Sequence, residues 1–382
     1  MLVGLDAIPL TEPRTGVGHY TFELAGALAR AAPADEFELS YPSVYPEIEL
    51  AEDERARLPT NLAVARVPVG ALGRRWFAAG LPRYAARRGV TLFHGTNFEV
   101  PLWGRAVRVV TIHDLSLLSL PETHERRRVR RARRRLPLMA RAADAVVTPT
   151  ESVRREACEL LRLPAAKVFA VPEAARACFR PLAFAETAEV RARHGAGAEF
   201  LLAVGTLEPR KNLPLLLEAF EEVTRARPVG ELRLVVAGGR GWLDDPLFER
   251  LERSPARGRV VLTGYLGDED LRALYASCRA FVYPSLYEGF GLPPLEAMSC
   301  GAPVVAGRCG AVAEVAGGAA RLFDPARKDE LARALVELLG DEGARRRLSE
   351  AGLRRAAEFS WERTARLTLE VYEEARRRRS RE

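Results

Sequence analysis

Cysteine is scarce in this chain: five in 382 residues, at positions 158, 178, 278, 300 and 309. The number is odd and no two are spaced C-x-x-C, so neither a disulfide framework nor a zinc-thiolate site is indicated. A reducing, cytoplasmic setting is the expectation. No apolar run approaches the ~18 residues of a membrane span, so any membrane contact is expected to be peripheral. The opening stretch MLVGLDAIPL has no basic n-region and passes straight into strand-like sequence, so no signal peptide is expected. There is no clear internal repeat and no low-complexity segment apart from arginine clusters. One D-x-D aside, no group of His, Asp and Glu has metal-ligand spacing, and no required metal is expected.

What is present describes a globular protein. Hydrophobic residues make up 48% and charged residues 29%. A chain of 382 residues is long for one core and suggests two domains. Lys and Arg number 58 against 51 Asp and Glu, and the net charge of +7 suits anionic partners. Short apolar runs alternate with amphipathic segments. LVGLDAI (2–8), VRVVTIH (107–113), DAVVTPT (144–150) and KVFAVP (167–172) form one series of strands. FLLAVGT (200–206), LRLVVAGG (232–239), RVVLTGY (259–265), AFVYPS (280–285) and PVVAG (303–307) form a second. Continuous apolar strands separated by helices predict parallel sheets covered on both faces. The polar, alanine-rich stretch 172–199 reads as a linker with an approach helix, placing the boundary near 180. Two doubly wound domains facing each other would enclose a cleft, with ligands at the carboxyl ends of the strands.

The motifs sit just after strands. YEGFGLPPLEAMSCG (287–301) follows 280–285. Proline is favoured in a first helical turn and glycine just past the end, so a helix is predicted from near Pro293 to before Gly301. Its N-terminus, with the flexible backbone of Gly289 and Gly291, suits an anion. Glu288 would precede the helix and Glu296 lie in its first turn. Carboxylates serve poorly as phosphate ligands and well as acceptors for paired hydroxyls, so a diphosphate carrying hydroxyls at both ends, a nucleotide sugar, fits the arrangement. Helix capping alone would explain Glu296 but not Glu288 or the glycines. In FLLAVGTLEPRKNLPLLLEAF (200–220) a strand ends at Gly205, and Arg210 and Lys211 follow in a loop where two cations can neutralise a diphosphate. Asn212 is a candidate cap for a helix with apolar face Leu213, Leu216, Leu217 and Phe220. A solvated surface pair is the commoner fate of such a dipeptide, and the position after a strand argues against it.

Other stretches invite readings they support less well. PRTGVGHYTFELAGAL (13–28) is a glycine loop before a helix but lacks the third Gly/Ala of a dinucleotide fingerprint. Asp268-Glu269-Asp270 follows a glycine and precedes helical periodicity, so it reads as a helix start rather than a metal site. HERRRVRRARRRLPLMAR (124–141) carries nine arginines, no interleaved aromatics and sparse apolar positions, Val129, Leu136 and Met139. Nucleic acid is not expected there. A solvated helix face and attraction to an anionic bilayer carrying a lipid acceptor stay open as alternatives. His113, beside Asp114 at the end of strand 107–113, is a site candidate, and His94 in LFHGTNF (92–98) a weaker one.

Taken together, these motifs resemble the retaining, GT-B-fold glycosyltransferases of family 4 over nearly the whole chain. E-G-F-G-L-P-P-L-E (288–296) resembles the family's E-x7-E motif, GTLEPRKN (205–212) its phosphate-clamp loop and RTGVGHYT (14–21) its N-terminal glycine loop. IHDL (112–115), AGGRGW (237–242) and FSWERTARLTLEVYEEA (359–375) fit the branch that includes mannosyl- and rhamnosyltransferases of polysaccharide assembly. The sequence departs from the pattern at His19, where arginine is common, and in PEAARACF (172–179), where many relatives have glycine after the proline.

The resemblance implies an α/β fold of two Rossmann-like, doubly wound domains facing across a cleft. Residues 1–180 would form the acceptor-side domain, with a C-terminal helix of about 361–382 packed back on it, and 181–360 the nucleotide-sugar domain. Glu288 would bind the sugar hydroxyls and Glu296 the ribose. Arg210 and Lys211 would hold the diphosphate, helped by the backbone N–H of Gly291 and Leu292, and Gly205, Gly289 and Phe290 would also belong to the donor site. Gly16 and Gly18 would approach the phosphate and acceptor, His113 would contact the transferred sugar, and the turn Gly264–Leu266 would border the base. The implied activity is metal-independent front-face transfer of mannose or a related hexose or deoxyhexose to a glycan or lipid-linked hydroxyl. No cofactor is implied beyond the donor, with GDP-sugars favoured and UDP-sugars open. The setting would be cytoplasmic, at the inner face of a membrane if the arginine helix docks there. Competing readings are a GT-B-like sugar-nucleotide epimerase, an NAD-dependent dehydrogenase, and a non-enzymatic arginine-rich nucleic-acid binder.

Overall fold

The computed structural model describes residues 1–12, 14, 16–70, 75–226 and 231–380. Pro13 and Thr15 of the glycine loop, and the last two residues of the expected terminal helix, lie outside the described residues. The chain divides into two compact units. The first comprises Met1–Leu115, Arg130–Glu173 and Ser360–Glu382, and the second Ser116–Val129 and Ala174–Phe359.

The strands of the first unit are β1 (Leu2–Asp6), β2 (Glu36–Pro42), β3 (Leu62–Val67), β4 (Leu92–Gly95), β5 (Val107–Thr111), β6 (Ala145–Thr148) and β7 (Val168–Ala170). Those of the second are β8 (Phe200–Val204), β9 (Arg233–Ala237), β10 (Val260–Gly264), β11 (Ala280–Tyr283), β12 (Val304–Gly307) and β13 (Arg321–Phe323). The sheets run β3-β2-β1-β4-β5-β6-β7 and β10-β9-β8-β11-β12-β13, and every pairing is parallel. In each sheet the order reverses beside the first strand, leaving a crevice at the carboxyl ends of β1 and β4 and of β8 and β11.

The second sheet shows why its strands are uninterrupted apolar runs. Leu202, Val235, Phe281, Tyr283, Val304 and Ala306 join one buried cluster. Leu201, Ala203, Leu234, Val236, Val282 and Val305 join another. Alternate residues face opposite ways and both faces are covered. In the first unit the helix Trp361–Arg379 buries Trp361, Ala365, Thr368, Val371, Tyr372 and Ala375. It packs on the helix Gly16–Ala31 and on β5 and β6, and Thr364 Oγ1 donates to the Pro172 carbonyl at 2.7 Å.

The sequence reading undercounts the strands. It omits β2, β3 and β13 and treats the β4 stretch only as a possible site. β2 carries Glu38 inside the sheet, which looks like surface sequence until its partners are seen: Tyr84 Oη donates to it at 2.6 Å and Arg88 Nε at 2.9 Å. β3 is an edge strand buried only at its two ends, and β13 has three residues. The arginine-rich segment forms the helix Arg126–Ala142. Its apolar positions are less sparse than they seem, because Ala132 and Ala140 join Val129, Leu136 and Met139 in being buried.

Candidate active site

In the second unit the site is built at the β8/β11 crevice. The chain leaves β8 through Gly205 (φ 146°) and lies against Gly238 (φ 152°) at the end of β9. A Cβ on Gly238 would fall 2.0 Å from the Gly205 carbonyl oxygen, so the close approach of these two loops requires glycine. Leu207 N–H donates to the Gly239 carbonyl at 2.9 Å, and Gly241 N–H to that of Leu207 at 3.1 Å, fixing the loop path.

The next turn, Pro209–Lys211, aims both cations at one carboxylate. Arg210 Nη1 donates to Glu288 Oε2 at 2.8 Å and Lys211 Nζ to Glu288 Oε1 at 2.7 Å. Arg210 also reaches the Tyr287 carbonyl at 2.8 Å and Glu208 Oε1 at 2.5 Å, while Lys211 meets Tyr283 Oη at 2.9 Å. Both cations are therefore paired internally, Arg210 with Glu208 and Glu288 and Lys211 with Glu288. Burial opposes ionisation of Glu288, but Arg210 and Lys211 outweigh it and bring its pKa down to about 2. Asn212, expected as a helix cap, takes a left-handed backbone (φ 55°), and its amide ties the loop to the carbonyls of Pro284 at 3.3 Å and Pro325 at 2.8 Å.

The helix beyond Glu288 is Leu292–Ser299, with Gly291 (φ 104°) as N-cap and Gly301 (φ 79°) beyond its end. Pro293 and Pro294 supply no N–H, so the amides of Gly291 and Leu292 are the donors left at the helix start. One correction applies. Glu296 is the fifth residue of the helix, past the first turn, and does not cap it. Glu296 points into the unit, where Arg176 Nη2 lies 3.3 Å from Oε1 and Tyr275 Oη donates to Oε2 at 3.4 Å. Burial pushes its pKa up to about 7 against the pull of Arg176.

The turn at the end of β10 puts Gly264 at φ 73°, Leu266 in the interior and Tyr265 63% exposed. Asp268, Glu269 and Asp270 occupy the first turn of the helix Asp268–Ser277. Asp268 pairs with Arg176, and Asp270 with His194 at 2.6 Å and Arg193 at 3.0 Å. Among the described residues, no group of three or more His, Cys, Asp and Glu is placed to hold a metal ion.

In the first unit the His113 side chain is 12% exposed, with Nε2 donating to the Thr96 carbonyl at 2.8 Å and Nδ1 3.2 Å from Glu173 Oε1. Tyr20 stands edge-on to the ring at 4.7 Å. Burial disfavours the charged ring, but Glu173 and the Thr96 carbonyl more than compensate, and the pKa is raised. Both nitrogens are thus committed internally. His94 is structural. Its ring lies between Tyr372 Oη at 2.7 Å and Thr111 Oγ1 at 2.8 Å, and burial lowers its pKa to about 3, so it is neutral. Gly16 and Gly18 are not loop residues, because the helix Gly16–Ala31 starts at the first of them. A Cβ on Gly18 would stand 2.9 Å from the Pro9 carbonyl oxygen.

Direct hydrogen bonds join Arg210, Lys211 and Glu288. Sequence reasoning missed Glu208, Glu173, Tyr275 and Arg176. Glu208 was legible beside the cations. The other three carry no local signal, since their partners lie tens of residues away.

Residues 14–174 match the family described as Glycosyltransferase Family 4, and residues 186–355 that described as Glycosyl transferases group 1. The sequence is 35% identical to O-antigen chain mannosyltransferase B of Escherichia coli over 376 residues, covering 95% of this chain and 97% of the relative. Sucrose-phosphate synthase from Thermosynechococcus elongatus has a similar structure, with TM-score 0.76, 21% identity and 98% of each chain covered. So does Anabaena HepE, solved with UDP and glucose, with TM-score 0.75, 19% identity and coverage of 97% of this chain and 99% of that one.

Proposed function

The chain belongs to glycosyltransferase family 4, whose members are retaining hexosyltransferases with nucleotide-sugar donors and the GT-B fold, and from that premise we propose that it transfers mannose from GDP-mannose to a hydroxyl of a growing glycan. The observation that carries the reading is the cluster of Arg210, Lys211 and Glu288 at the β8/β11 crevice, next to the amides of Gly291 and Leu292. The likeness to an O-antigen mannosyltransferase supports the choice of sugar and glycan acceptor.

In this reading the diphosphate displaces Glu288 from the two cations. Glu288 then accepts hydrogen bonds from the sugar hydroxyls and Glu296 from the ribose. Arg210, Lys211 and the two amides stabilise the charge that grows on the diphosphate as the bond from the anomeric carbon to its oxygen breaks. The acceptor oxygen bonds to that carbon from the same face, and its proton passes to the departing diphosphate. Configuration is retained. A lipid-linked acceptor would place the enzyme at a membrane surface. No helix among the described residues is long and apolar enough to cross one.

Thermal-shift titration of GDP, UDP, ADP and TDP, with and without EDTA, tests the donor. GDP should stabilise the protein by about 2.7 kcal/mol at a hundredfold excess over Kd, indifferent to EDTA. Stabilisation by UDP alone would replace the donor assignment, and no response to any nucleotide at millimolar concentration would overturn the site.

A further inference from the structure

Arg176 reaches the second unit's site from a segment that none of the sequence motifs singled out as chemical. Its side chain is 10% exposed. One end of the guanidinium bonds Asp268, in the first turn of Asp268–Ser277, and the other lies 3.3 Å from Glu296 Oε1. Phe179 supports it from beneath, its ring centroid 4.7 Å from Cζ. The two carboxylates flanking the proposed diphosphate are therefore treated unequally. Glu288 has two cations. Glu296 shares one with Asp268, at the longer distance, and its other oxygen has only the Tyr275 hydroxyl at 3.4 Å.

That inequality matters for what Glu296 can do. Only an ionised carboxylate is acceptor-only and able to take two hydroxyls at once; a protonated one gives up an acceptor site to its own O–H. A buried carboxylate with half a counter-ion is poorly held in the ionised form. We propose that Arg176, anchored by Asp268, is the positioning residue that keeps Glu296 oriented and ionised as a double acceptor for the vicinal ribose hydroxyls of the nucleotide. This rests on the reading of Glu296 as the ribose ligand.

The groups facing Glu296 are Arg176 and Asp268, Tyr275 from the helix Asp268–Ser277, and the thiols of Cys178 and Cys300. Burial pushes Cys178 up to about 11 and Cys300 up to about 12, and Tyr275 lies well above its ordinary value. None of these three titrates near neutrality. A change in ribose recognition with a midpoint close to 7 therefore belongs to Glu296, and a Glu296→Gln control assigns it.

The experiment is isothermal titration of GDP and of 2′,3′-dideoxy-GDP between pH 5.5 and 9. Wild type should prefer GDP by about a hundredfold at high pH, the worth of two charge-assisted hydrogen bonds. The preference should fade as pH drops through about 7, and Glu296→Gln should show a weak, pH-independent preference. Arg176→Met should move the midpoint upward by a unit or more, and Arg176→Lys should restore it most of the way. If Arg176→Met does not fold, Arg176→Gln, which keeps a donor for Asp268 without the charge, should show the same upward shift. A purely structural role would weaken both nucleotides equally with no shift, and that result overturns the proposal while leaving the donor site intact. Failure of wild type to bind either nucleotide overturns the donor site and this proposal with it.

Discussion

At the scale of single residues, the site carries its own counter-charge. Glu288 is buried between Arg210 and Lys211 and, with its pKa near 2, is ionised throughout the working range. In the proposed reading a diphosphate would compete with Glu288 for the same two cations, so Glu288 would oppose nucleotide binding while serving the sugar. Glu288→Gln separates the two effects. Its Kd for GDP should stay the same or tighten, because Lys211 loses its internal anion and Arg210 one of its two. Transfer should fall by about 10²–10³-fold, the usual loss when a charged contact to the reacting group is removed. Calorimetric titration beside initial rates checks this, and a parallel loss of GDP binding would mean that Glu288 holds the loop rather than the sugar. Much of this site was legible in the sequence, because Glu288, Arg210, Lys211 and their glycines sit in two short motifs after strands. The commitment of His113 to Glu173 and of Glu296 to Arg176 was not, because each pairs residues 60 and 120 positions apart. Periodicity and local spacing cannot register contacts at that distance.

At the scale of elements, the site depends on how closely two loops pass. Gly238 and Gly239 are neighbours with opposite requirements. Gly238 has φ 152° and the Gly205 carbonyl where a Cβ would stand, whereas Gly239 has nothing within 4 Å. Gly238→Ala should cost about 2–3 kcal/mol and displace the Gly205 loop that carries Arg210 and Lys211, weakening GDP binding. Gly239→Ala should leave both nearly unchanged. Denaturant melts and a GDP titration on the pair decide it, and equal tolerance would show that the loops are free to separate. The same loops explain which elements could be read in advance. β8, β9, β11 and β12 are apolar on both faces and announce themselves as runs. β2 hides because Glu38 is neutralised inside the sheet by Tyr84 and Arg88, and the prolines after Gly291 signalled a helix start while also removing donors from it.

At the scale of the whole molecule, two doubly wound sheets occur in one chain, and the chemistry-bearing residues gather at the carboxyl ends of their strands. The positive charge of +7 is compatible with an anionic donor. The nine arginines of 124–141 lie on a helix whose other face is packed. On the proposed reading this scaffold moves mannose from a GDP donor with retention. The most direct test is to incubate the protein with GDP-α-mannose and a mannose-terminated oligosaccharide and to follow the anomeric signals of the product by NMR from the first turnover. A new α-linked mannosyl residue and stoichiometric GDP are expected, with no product from Lys211→Ala. A β-linked product, or transfer from UDP-sugars but not from GDP-mannose, would contradict that reading.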